Sequence, residues 1–195
     1  MKLIFSSNNK HKIREIQQLL GNTYQIVSLE SIGCFEEMPE TQDTIEGNAS
    51  QKSFYVFNKY GVNCFSDDTG LEVEALNNQP GVYSARYAGN QKNNADNIQK
   101  VLNEMKGLTN RNARFKTIIS LVIDGVEKQF EGIVDGVILS SLKGDKGFGY
   151  DSIFQPNEYS LSFAEMDIEE KNKISHRGIA VNKLVEYLRS IDQKI

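Results

Sequence analysis

Asp67 and Asp68 stand side by side in "CFSDDTGLEVEA", residues 64–75. Adjacent carboxylates repel each other unless something compensates them, and a divalent cation does so. Hard oxygen donors completed by substrate phosphates are the usual Mg²⁺ arrangement. Glu46, in the first turn of an expected helix, is a third candidate ligand, although a carboxylate there favours the helix by itself. The plain alternative for Asp67-Asp68 is a solvated turn, because aspartate is a turn former. Val62, Cys64 and Phe65 read as a buried strand, and Thr69-Gly70 as a turn. Leu71, Val73 and Ala75 alternate with Glu72 and Glu74, which predicts a second strand. The two carboxylates are therefore expected at a strand tip.

Three other stretches carry chemistry. "FSSNNKHK" is a strand-to-helix turn of small polar residues. Such a turn presents free backbone N–H groups, and the helix dipole favours an anion there. Ser7 and Asn9 add side-chain donors and Lys12 adds a charge; the plain alternative is helix capping by Ser or Asn. The turn lacks the glycines and Gly-Lys-Ser/Thr ending of a Walker A loop. "GDKGFGYD", Gly144–Asp151, has three glycines that let backbone approach a ligand closely. Phe148 between two of them could stack on a ring, and Asp151 could accept hydrogen bonds from a base edge. The alternative is a loop whose Phe plugs the core. "EEKNKISHR", Glu169–Arg177, clusters Lys171, Lys173, His176 and Arg177, donors suited to a purine carbonyl or to phosphates. Such runs are usually solvated faces. His176 and Arg177 nevertheless stand at the start of a helix, against its dipole, which an anionic ligand would explain.

The elements that must position these residues follow from periodicity. Leu3–Phe5 is a short strand. The next helix has Ile13, Ile16, Leu19 and Leu20 on one face and ends at Gly21-Asn22. Ile26–Leu29 reads as a strand, and "EEMPETQDT" as an acidic loop. A helix starts near Thr44 and closes at Gly61. "NNQPGVYSARYAGNQKNN" reads as a polar loop, and Ile98, Val101, Leu102 and Met105 mark another helix. "RFKTIISLVI" is a β-branched strand, Asp124-Gly125 a hairpin turn, and "EKQFEGIVDGVIL" the return. "DSIF" is a short strand, and a final helix from Ser175 turns Val181, Leu184, Leu188 and Ile191 inward. An α/β first half and an antiparallel second half predict a mixed sheet in two lobes with a cleft.

The length suits one domain, and apolar content and charge are ordinary for a globular chain. A net charge of −4 gives no basic field for nucleic acid. Cys34 and Cys64 have no metal-ligand spacing and suggest free thiols in a reducing compartment. No stretch approaches signal-peptide or membrane-spanning length. The expected protein is soluble and cytoplasmic, with no nucleic-acid or membrane partner.

Together these segments resemble the inosine triphosphate pyrophosphatase family over nearly the whole chain, in order. "SSNNKHKIREI" is similar to the family's Thr-Gly-Asn-x-x-Lys turn and helix. "ETQDTIEGNASQK" is similar to its Glu-Thr…Glu-Asn-Ala…Lys segment, and "SDDTGLEVEAL" to its Asp-Asp-Ser/Thr-Gly-Leu core. "PGVYSARYAG", "GFGYDSIF" and "EEKNKISHRG" complete the set. Each is weak alone; six in order are specific. The resemblance implies an α/β fold, one domain over residues 1–195, with a two-lobed mixed β-sheet, flanking helices and a central active-site cleft. It also implies a homodimer that uses Mg²⁺ to hydrolyse ITP, dITP and XTP to the monophosphate and pyrophosphate.

Carried over by residue, Asp68 matches the catalytic base and a metal ligand, Asp67 its acidic neighbour, and Thr69 a substrate-contacting hydroxyl. Ser7, Asn8, Asn9, Lys10, His11 and Lys12 match the phosphate turn, with Lys12 stabilising charge in catalysis. Phe148, Gly149, Tyr150, Asp151, Lys171, His176 and Arg177 match the purine-recognition set. Two positions depart from the pattern. The family's glycine in the first turn is Asn8, which then needs another turn geometry or a left-handed backbone. Counting back from Lys52, the metal-binding glutamate's place holds Gly47, with Glu46 one residue earlier. The competing readings are a Maf-like pyrophosphatase for other modified nucleotides and a non-catalytic purine-nucleotide-binding protein.

Overall fold

The computed structural model describes residues 2–20 and 24–192. The strands are β1 (Lys2–Phe5), β2 (Gln25–Val27), β3 (Cys64–Val73), β4 (Gln79–Pro80), β5 (Asn112–Ile123), β6 (Val126–Ile138) and β7 (Phe154–Pro156). The helices are α1 (Lys10–Leu20), α2 (Ile45–Tyr60), α3 (Asn94–Glu104), α4 (Ile168–Ile174) and α5 (His176–Asp192). The strands form one sheet in the order β2-β1-β3-β5-β6-β7, with β4 paired to β3. β1 pairs parallel with β2 and β3, whereas β3–β4 and β6–β7 are antiparallel. This is the mixed α/β sheet with flanking helices that the sequence predicts.

The chain divides into two compact units. The first comprises Met1–Asp68, Thr117–Gly132 and Arg177–Ile195; the second comprises Thr69–Lys116 and Ile133–His176. In the first unit, alternation along β1 sends Leu3 and Phe5 into a core with Ile16, Phe65, Leu121, Val181 and Leu184. Ile4 points the other way, to Leu29, Cys34, Val56 and Cys64. The second unit has its own core, including Leu71, Val73, Val101, Phe115, Phe154 and Phe163.

Local signals set several boundaries. Thr44 caps α2, its Oγ1 accepting from the Gly47 N–H at 3.0 Å, and Gly61 closes that helix in a left-handed conformation, φ 64°. Asp124 and Gly125 have φ 50° and 80°, the positive pair a tight β5–β6 hairpin needs. The Gly21-Asn22 helix end lies outside the described residues.

Two readings are corrected, and one element is added. Thr69-Gly70 is no turn, because β3 runs unbroken from Cys64 to Val73. Burial is consistent with this: Leu71 and Val73 are fully buried in the second core, with the alternation of an extended strand. The charged run before Ser175, for which the sequence predicts no element of its own, forms the short helix α4. Most of "DSIF" is a 3₁₀ turn, Asp151–Ile153, with β7 starting at Phe154.

Candidate functional site

β3 explains the paired aspartates. Successive side chains of a strand point to opposite faces. Cys64, Ser66 and Asp68 all meet α2: Cys64 Sγ lies 3.2 Å from the Ser53 carbonyl, Ser66 Oγ donates to the Ala49 carbonyl, and Lys52 Nζ donates to Asp68 at 2.6 Å. Phe65 and Asp67 face the other way, Phe65 stacking on Phe5 at 4.8 Å. The carboxylates are mid-strand, on opposite faces, and belong to separate ion-pair clusters. β1 ends at Phe5, opposite Phe65, and β4 pairs with β3 only from Glu72.

Asp67 is the hub of the first cluster. Lys12 Nζ donates to its Oδ1 at 2.9 Å, and Arg177 Nε and Nη2 lie 3.4 Å from its Oδ2. Arg177 Nη1 donates to Glu15. Arg177, Glu15 and Asp67 are all buried. Burial pushes the Asp67 carboxyl up, but Lys12 and Arg177 outweigh it and hold its pKa at about 2. Lys12 is lowered, because burial outweighs the attraction of Asp67, and the neighbouring Lys52 and Arg177 charges add to the effect. The guanidinium of Arg177, a residue matched to the purine-recognition set, binds two carboxylates of the first unit, Glu15 and Asp67.

Asp68 anchors the second cluster. Lys52 Nζ donates to both Asp68 (2.6 Å) and Glu40 (2.7 Å). Burial raises the Asp68 pKa against the pull of Lys52. Burial also opposes the Lys52 ammonium, but Asp68 and Glu40 prevail and raise its pKa. Glu40 arrives because the acidic loop folds back along α2: Thr41 N–H donates to Gln51 Oε1 and Gln42 N–H to Asn48 Oδ1, each at 2.9 Å.

Glu46 does not complete a metal set with Asp67 and Asp68. Among the described residues no three His, Cys, Asp or Glu side chains converge as a metal cage. Glu46 shares a face of α2 with Ser50, one turn on, where Gln129 Nε2 donates to the Glu46 carbonyl and to Ser50 Oγ. Lys52 lies roughly 120° further around the helix. The glutamate brought near Asp68 is Glu40, through the Lys52 ammonium that both carboxylates share. Sequence reasoning missed Glu40, Glu15 and the role of Lys52. Glu40 sits in an irregular loop that has no periodicity to read, but its place in "PETQD", shortly before the α2 cap, was the available signal.

The first turn shows the capping that Asn is able to supply: Asn9 Oδ1 accepts from the His11 and Lys12 N–H groups at 3.0 and 3.3 Å. The Asn9 N–H in turn donates to Ser7 Oγ at 3.2 Å. Asn8 is not among the residues with left-handed backbone, so the turn tolerates it by a different geometry. Asn8, Asn9, Lys10 and His11 are exposed, and Ser7 and Lys12 half-buried.

The remaining candidates lie in the second unit. Lys171 Nζ donates to Asp151 Oδ2 at 2.7 Å, both side chains buried, and sits 5.2 Å from the centre of the half-buried Phe148 ring. Asp151 Oδ2 also accepts from the Phe148 N–H at 2.8 Å. Gly147 makes this possible: a Cβ there would fall 2.1 Å from Asp151 Oδ2, and its φ is +75°. Gly149 has φ 61° and leaves open space. His176 stacks on Phe115, centroids 4.6 Å apart and planes 17° apart. Thr69 is half-buried on β3. Tyr150, expected in the substrate set, is a core residue: its ring is buried and its hydroxyl donates to the Ser84 carbonyl at 2.8 Å. The loop thus holds Phe148, Asp151 and Lys171 together, with Tyr150 as their root.

The Ham1 family model matches residues 3–187. A dITP/XTP pyrophosphatase of Flavobacterium psychrophilum is 54% identical over 190 residues, covering 97% of this chain and 100% of that one. One from Flavobacterium johnsoniae is 55% identical, covering 96% and 98%. Among solved structures, the Staphylococcus aureus Ham1 protein superposes with a TM-score of 0.89 at 37% identity, covering 97% of this chain and 99% of that one. A HAM1 protein from Coxiella burnetii gives 0.90 at 33% identity, covering 97% and 99%. Matched along almost its whole length by the family model and by these relatives, the chain belongs to the Ham1 family.

Proposed function

We propose that the protein hydrolyses non-canonical purine nucleoside triphosphates (ITP, dITP and XTP) to the monophosphate and pyrophosphate. The observation that carries this reading is the Asp68–Lys52–Glu40 set, a buried carboxylate with raised pKa held by an ammonium, with Lys12 close enough to feel its charge. The relatives named dITP/XTP pyrophosphatases support it.

In this reading Asp68 accepts a proton from the water that attacks the α-phosphorus. A bond forms from the water oxygen to phosphorus, the bond from the α-phosphorus to the bridging oxygen breaks, and pyrophosphate leaves. Lys52 holds Asp68 in place, and Lys12, fixed by Asp67, meets negative charge on the phosphates. Glu40 and Asp68 fit a Mg²⁺ ion: both carboxylates already converge on one positive centre, and one or two carboxylates with substrate phosphates are the usual arrangement. When bound, the ion neutralises phosphate charge. The base is assigned to Phe148, Lys171, Asp151 and His176. A 6-oxo acceptor suits ammonium and imidazole donors, whereas an adenine amino group would leave them unpaired. The homodimer and the cytoplasmic nucleotide pool belong to the same reading. Among the described residues, no helix is long and apolar enough to cross a membrane.

The test is product analysis with ITP and Mg²⁺. One pyrophosphate per inosine monophosphate is expected, with ATP slower by about 10²-fold or more. Stepwise release of single phosphates, or equal use of ATP, would refute the assignment. The metal assignment has its own contrast. Glu40→Gln is expected to raise the Mg²⁺ concentration for half-maximal rate about tenfold, while Glu46→Gln leaves it unchanged. Reversed sensitivities would restore Glu46 as the ligand.

A further inference from the structure

Residues 34–44, which carry Glu40, contain no helix or strand. No ladder of backbone bonds fixes this strap, so its place along α2 depends on side chains. Near Glu40 the fastening is Thr41 to Gln51 and Gln42 to Asn48. On the other side of Glu40 the fastening is Glu36. Its Oε1 accepts from Tyr55 Oη at 3.0 Å, Tyr60 Oη at 2.8 Å and Lys59 Nζ at 2.5 Å. All three donors come from the last turns of α2.

An exposed Glu–Lys pair alone contributes little. Two tyrosine hydroxyls converging on the same oxygen make a built socket, with the Glu36 carboxyl held well below the usual range by Lys59 and Tyr60. Along α2 the anchors bracket Lys52: Asn48 and Gln51 on one side, Tyr55, Lys59 and Tyr60 on the other. The strap is thus pinned at both ends over the residue that Glu40 must meet.

We propose that Glu36, seated in the socket of Tyr55, Lys59 and Tyr60, is a positioning residue that holds the strap so that Glu40 reaches Lys52 and Asp68, and thereby sets the affinity of that pair of carboxylates for a divalent cation. The metal role of Glu40 rests on the functional reading above; the mechanical role of Glu36 does not.

The experiment uses the full chain, with Mn²⁺ as a paramagnetic probe and amide hydrogen exchange as the local readout. In Glu36→Ala, exchange at residues 37–43 is expected to rise about tenfold while α5 keeps its protection. The Mn²⁺ dissociation constant, measured by electron paramagnetic resonance without nucleotide, should rise about fivefold or more. Lys59→Met and Tyr60→Phe should move both quantities the same way by less, and they carry the test should Glu36→Ala fold poorly. Phe35→Ala, at a neighbouring side chain 76% exposed, should move neither. Unchanged exchange at 37–43 overturns the proposal, as does faster exchange with unchanged Mn²⁺ affinity. If both readouts respond but wild-type protein leaves ITP intact, the positioning role stands and the functional reading fails.

Discussion

Asp68→Asn is expected to lower kcat for ITP at least ~10²-fold while leaving the fold intact. The substitution keeps shape and removes the proton acceptor. It also removes one of the two carboxylates that hold Lys52 Nζ, leaving Glu40 alone as its charged partner. Because burial already raises the Asp68 pKa, the neutral amide should be accommodated without large loss of stability. The measurement is kcat at saturating ITP and Mg²⁺ beside a thermal unfolding curve. Near-normal turnover with an unchanged Mg²⁺ requirement would remove Asp68 from the chemistry. A collapse of stability would instead make its role architectural.

Arg177→Ala is expected to destabilise the protein by about 3–5 kcal/mol, because it leaves the buried Glu15 and Asp67 carboxylates without their guanidinium. Lysine cannot substitute well, since one ammonium cannot span both carboxylates as the planar fork does. Urea unfolding at neutral pH measures the loss. Acid gives an independent check. The Asp67 pKa is depressed to about 2, so its contribution to stability is present above the ordinary aspartate range and is lost as pH falls through about 2. That contribution is on the order of 2 kcal/mol. Arg177→Ala should shrink the depression, so its stability should fall less steeply between neutral pH and acid than the wild type's. Activity should fall too, because Lys12 is fixed through Asp67. A variant as stable as wild type would show that the buried Glu15, Asp67 and Arg177 side chains are not a unit.

Local chemistry is written into local sequence. The Thr44 cap, the Gly61 stop, the Asp124-Gly125 hairpin and the inward face of α5 each depend on residues within a few positions of one another, so the sequence determined them. The Asp-Asp pair, the glycine loop and the Ser-His-Arg run likewise stand out in the sequence as candidates for chemistry. Tertiary structure decided where their side chains go. Thr69-Gly70 reads as a turn until two cores claim the residues on either side. Asp67 and Asp68 read as one charge pair until strand alternation sends them to opposite faces, one to Lys12 and Arg177, the other to Lys52. Arg177 and His176 are neighbours in sequence, yet one binds carboxylates of the first unit and the other stacks on Phe115 of the second. Glu40 was hidden for the same reason: it lies in an irregular loop, and only the fold of that loop along α2 brings it to Lys52. Periodicity reports which way a side chain points relative to its own element. It carries no information on which distant charge it will meet, because that depends on how elements far apart in the chain are packed.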